Sequence, residues 1–73
     1  MKSEFDQAIA DATEAIRLEP DSAWAYCLRG CAYRHKADFP AAISDFTEAL
    51  RIDPEYEWAK EQLDKAKRRQ STD

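Results

Sequence analysis

Apolar residues recur every three to four positions through most of the chain. Ala8, Ile9, Ala12 and Ile16 form one stripe, and Ala42, Ile43, Phe46 and Leu50 form another. That spacing lines up one face of a helix, whereas a strand would need strict alternation. Each stripe stops just before a proline, Pro20 in "EPD" and Pro54 in "DPE". Proline cannot continue a helix and pushes the residue before it out of helical geometry. Ser22 has the side chain of a helix N-cap, and Asp38 followed by Pro40 marks another start. The pattern predicts four helices, at about 3–18, 22–36, 39–52 and 56–69. Connections of only a few residues make neighbouring helices antiparallel.

The two stripes are copies. "FDQAIADATEAIRLEPDSAWA", starting at Phe5, aligns with "FPAAISDFTEALRIDPEYEWA", starting at Phe39, at an offset of 34 residues. Eleven of the 21 positions are identical, which chance does not produce in so short a chain, and Trp24 and Trp58 fall in register. A period of this length is the mark of stacked helical hairpins, which bury a face only against their neighbours.

Between the copies, Tyr26, Gly30 and Tyr33 are followed by Ala42, Phe46, Ala49 and Pro54. In order and spacing these residues resemble the tetratricopeptide repeat. One whole repeat covers 23–56, and Arg29 stands where the family has leucine. The resemblance implies an all-α fold of antiparallel helix-turn-helix repeats, an α-solenoid fragment. Residues 1–73 then form a single domain: 3–21 as the second helix of a partial repeat, 22–55 as a complete one, 56–70 as a capping helix and 71–73 as a tail. It also implies protein–protein interaction, as a scaffold or adaptor holding a protein or peptide on a concave face.

A helical wheel assigns the faces. Tyr26, Gly30 and Tyr33 point toward the hairpin partner. Trp24, Cys27, Leu28, Cys31 and His35 fall on the opposite, open side, which the resemblance makes the groove. On the last helix the groove positions are Trp58, Glu61, Gln62 and Lys65. Its equivalents of Tyr26, Gly30 and Tyr33 are Lys60, Asp64 and Lys67, a charged row suited to solvent, while Trp58, Ala59, Leu63 and Ala66 are offered to the preceding hairpin. The first helix lacks a partner for Ala8, Ala12 and Ala15, with Phe5 and Ile9 beside them, so a homo-oligomer formed through that face is the alternative.

Composition narrows the function. With 36% charged and 44% hydrophobic residues the chain is too apolar to be disordered, and its net charge of −4 excludes a general affinity for nucleic acid. No apolar run is long enough for a membrane span. Met1-Lys2-Ser3 leads straight into polar residues, so no signal peptide is expected; with only two cysteines, a reducing, cytoplasmic setting follows. Acidic residues, including Glu14, Glu19, Asp45, Glu48, Asp53 and Glu57, are expected on solvated faces, some paired with Arg17, Arg29 or Arg51. "KAKRRQ", 65–70, ends a helix, where positive charge complements the helix dipole.

Cys27, Cys31 and His35 follow one another at intervals of four. Zinc wants four ligands, usually from two chain segments, and Glu61 is the nearest further donor, so a thiol or metal site is the weaker alternative. Cys27 and Cys31, one turn apart, do not readily form a disulfide with each other. Some members of the family clamp acidic C-terminal tails with lysines, arginine and asparagines. Those places here hold Trp24, Cys27, Leu28, Cys31, Trp58 and Gln62, so that clamp is absent. With one histidine and no serine–base arrangement, no enzyme and no cofactor are expected.

Overall fold

A computed structural model of the chain describes residues 3–71. Met1, Lys2 and the last two residues of the expected tail lie outside them. Four helices follow in order: α1 (Glu4–Leu18), α2 (Ala23–His35), α3 (Phe39–Ile52) and α4 (Glu57–Ser71). They match the four predicted from the stripes, and no strand occurs among the described residues.

Local chemistry sets the ends. The Asp6 amide donates to the Ser3 hydroxyl at 3.1 Å and the Ser3 amide donates to the Asp6 carboxylate, a reciprocal capping box. Ser22 accepts from the Ala25 amide and Asp38 from the Ala41 amide, so both expected caps are present. The two prolines act alike. Glu19 and Asp53, each just before proline, have φ/ψ of −136/85° and −134/90°. In both turns the amide three residues on, that of Ser22 or Tyr56, returns to the carbonyl of that residue at 3.1 Å. The sequence repeat is thus a repeat of turn geometry.

The turn between α2 and α3 is different. Asp38 donates to the Tyr33 carbonyl and Ala37 to that of Arg34, each at 2.9 Å, which is the Schellman closure of a helix. The closure places Ala37 at φ 65°, a left-handed conformation in which glycine is the usual residue.

Packing runs between neighbours. α2 packs on α1, α3 and, more lightly, α4, while α3 packs on α4. The molecule measures 36 × 36 × 15 Å, little more than one helix thick. With so thin a section the core is a seam of small residues: Ala25, Ala32, Ala42, Ala49, Ala59 and Ala66 are buried around Phe46 and Cys27. Gly30 lies directly against Phe46, and a Cβ placed there would sit 2.7 Å from the ring. Only glycine lets the two helices approach so closely. Tyr26, Tyr33 and Leu63 pack half-buried around this seam. On α4 the row Lys60, Asp64 and Lys67 is exposed, as its charges foretold.

Asp45 departs from expectation. It is not on a solvated face but 5% exposed, because Arg29 reaches across from α2. The guanidinium donates through Nε and Nη2 to the two carboxylate oxygens, each at 2.8 Å, and through Nη1 to Thr13 of α1 at 3.2 Å. One arginine therefore ties three helices, and a planar fork on a carboxylate is the strong form of ion pair. The substitution of the family leucine by Arg29 is answered by Asp45. Arg17 and Arg51 pair with Glu14 and Glu48 on their own helices, as expected.

Candidate functional site: the groove between α2 and α4

Both α2 and α4 pack on α3, which brings them alongside each other in a lighter contact of their own, and the surface between them is the expected groove. Trp24 is 56% exposed at its mouth. Leu28 and Cys31 are half-buried along α2. On α4, Trp58 is half-buried with its ring edge-on to Tyr56 at 5.9 Å, and Glu61 and Lys65 are exposed.

Two expected groove residues lie beneath the surface instead. Cys27 is fully buried, which corrects its placement on the open side: α2 leans on α4, so the arc of the wheel nearest α4 is closed. Gln62 is 8% exposed for the same reason and accepts a hydrogen bond from Arg34 Nε at 3.0 Å. His35 is exposed but engaged, stacking on Phe5 of α1 with ring centroids 5.0 Å apart. Beside that stack, Lys36 pairs with Asp6. The face of α1 expected to be bare is partly used: Ala12 is buried, and Ala8 and Ala15 are intermediate.

Both cysteines are free. The Cys27 thiol donates to Cys31, and this bond together with burial pushes its ionisation far up. Cys31 is moved the other way, first by that donated hydrogen bond and then by the charges of Arg34 and Lys65. The pair is thus unequal, Cys27 sealed in the core and Cys31 half-buried beside it. Among the described residues no three His, Cys, Asp or Glu side chains come together as a metal requires.

One feature was not legible in the sequence. Where the groove runs out toward the helix ends, a cleft of about 280 Å³ is lined by Arg34, Lys65, Arg68 and Arg69. The basic run 65–70 showed three of these cations, yet Arg34 lies 31 residues before Lys65, and only the α2–α4 contact unites them.

The family model described as tetratricopeptide repeat matches residues 23–56, the span from the start of α2 to the turn before α4. No curated protein matches the chain. Among the described residues no helix is long and apolar enough to cross a membrane.

Proposed function

We propose, from the match of residues 23–56 to the tetratricopeptide repeat, that this chain is a binding module whose protein partner lies in the groove between α2 and α4. Such repeats mediate protein–protein interaction. The observation that carries the groove is the division of α2 into two faces. Gly30 is sealed against Phe46 on one face, while on the other Trp24 is exposed and Leu28 and Cys31 are half-buried. An exposed indole costs solubility without aiding the fold, and aromatic side chains are the commonest anchors of interfaces. The groove presents indole, aliphatic, thiol and cationic groups on two mutually braced helices. It is a surface for contact and not a reaction centre. On this reading α4 is the cap of the stack, its charged outer row replacing the apolar face of an internal helix.

The test uses the partner recovered with the full chain. Trp24→Ala and Trp58→Ala together are expected to weaken its binding tenfold or more, while Ser44→Asp on the exposed face of α3 leaves affinity unchanged. Equal affinity in the tryptophan variants and the parent would remove the groove from consideration.

A further inference from the structure

The repeat supplies a template inside the chain. α1 is the sequence copy of α3: Asp11, Thr13, Glu14 and Ala15 recur as Asp45, Thr47, Glu48 and Ala49. The surroundings of the two helices differ. α3 lies between α2 and α4, whereas α1 packs on α2 alone. On α3, Ala42, Asp45 and Ala49 are buried and Ile52 is half-buried. Their copies on α1 are less covered: Ala8 and Ala15 are half-buried, Asp11 is exposed, and Leu18 is 65% exposed. Spaced by three or four residues, they share one face of the helix. Arg29 of α2 marks that face on α3, because it grips Asp45 there with two nitrogens at 2.8 Å. Asp11 meets only the Gln7 amide of its own helix, at 3.0 Å, and no cation among the described residues. Arg29 stands where the family has leucine, so this match of arginine to aspartate is particular to the chain.

We propose that the bare face of α1 docks an α-helix of another protein, with an arginine set opposite Asp11 and apolar side chains a turn to either side. The model for that helix is α2, which turns Tyr26, Arg29 and Tyr33 toward α3. One feature of α2 is not required. Gly30 is there to admit Phe46, and α1 has Ala12 at the place of Phe46, so the residue after the arginine need not be glycine. The arginine gives specificity, since a planar fork on a carboxylate is directional, and cover over Leu18 gives apolar contact. A second copy of this chain fits poorly. In the α2–α3 geometry, its α4 would bring Leu63 and Asp64 to Asp11, where α2 brings Arg29 and Gly30 to Asp45. Lys60 and Lys67 stand a turn away on either side, and Lys60 is bonded to Glu57. Two α1 helices would repel, each carrying Glu4, Asp6, Asp11 and Glu14 against Arg17. α1 makes no contact with α4, so this surface is separate from the groove and does not depend on it.

The experiment displays a helix with the sequence of residues 22–36, carrying Cys27→Ser and Cys31→Ser and randomised at the places of Tyr26, Arg29, Gly30 and Tyr33. It is selected against the full chain at low salt. Enriched helices are expected to keep arginine at its place and to vary at the place of glycine. Bound as a synthetic peptide, an enriched helix should lose about tenfold in affinity to Asp11→Asn. That side chain is exposed, so the variant keeps the fold. Asp64→Asn, and Trp24→Ala with Trp58→Ala, should leave the affinity unchanged. No enrichment, enrichment without a basic residue, or indifference to Asp11→Asn overturns the inference. Weakening by the tryptophan pair would move the helix into the groove and overturn it as well, leaving the groove reading intact. A dimer of the parent chain in sedimentation, dissolved by Asp11→Lys, would make a second copy the occupant and overturn the assignment to another protein.

Discussion

Replacing Gly30 by alanine sets two magnitudes against each other. On a bare helix, alanine in place of glycine stabilises by about 0.5–1 kcal/mol. Here the added methyl would lie 2.7, 2.9 and 3.0 Å from Cε1, Cδ1 and Cζ of Phe46. Carbon atoms pack at about 3.5–4.0 Å, so ring or helix must yield by roughly 0.8–1.3 Å at the nearest contact. The ring has no free side to yield toward, because Phe46 is fully buried among Ala42, Ala49, Ala59 and Ala66. Overpacking of this kind costs about 1–3 kcal/mol, which exceeds the helix gain. The expected net loss is about 1–2 kcal/mol. For a domain of this size, each kcal/mol displaces the thermal midpoint by about 4–8 °C. Circular dichroism at 222 nm, followed through heat and urea unfolding, reads the change. The partner variant Phe46→Leu opens room, so Gly30→Ala should cost less in that background than alone, and a double-mutant cycle should show coupling of about 1 kcal/mol. A midpoint raised by Gly30→Ala in the parent chain would show that Phe46 does not seat against Gly30, and the assignment of the two faces of α2 would go with it.

Three further outcomes follow from particular contacts. Arg29→Leu restores the family residue but strands the Asp45 carboxylate in a buried site, so it should destabilise by about 2–3 kcal/mol, and Arg29→Leu with Asp45→Ala should recover most of that loss in urea titrations. Ala37→Gly relieves a φ of 65° and should stabilise by about 0.5–1 kcal/mol, after allowing for the greater freedom of glycine in the unfolded chain; a lowered melting temperature would contradict the left-handed turn. Iodoacetamide should label Cys31 before Cys27, with its rate rising at a pH below the ordinary thiol value of 9.0, and Cys27→Ala should move that rise upward by removing the donated hydrogen bond. Cys27 carries the opposite sign: its native thiol holds the proton, the unfolded one releases it above 9.0, so stability should fall as pH climbs past that value, and the alkaline loss should shrink in Cys27→Ala.

Helix number, helix ends and repeat length were settled by the sequence alone, because each depends on neighbours along the chain. Pro20 and Pro54 stop helices wherever they stand, Ser22 and Asp38 cap through amides three residues away, and apolar spacing declares which side of a helix turns inward. The sealing of Gly30 and the exposure of Trp24 were legible for the same reason. What depended on distant residues was not. A wheel assigns directions but does not say how far α4 leans on α2, so it left Cys27 and Gln62 in the open when they are buried. Arg29 read as a departure until Asp45, 16 residues on, met its guanidinium. The Schellman turn at Ala37 had no glycine to announce it. The cleft joining Arg34 to Lys65 exists only because two helices, separated in sequence by α3, touch in space. Local backbone chemistry is written residue by residue, whereas the meeting of charges across the groove is decided by the packing of α2 on α4.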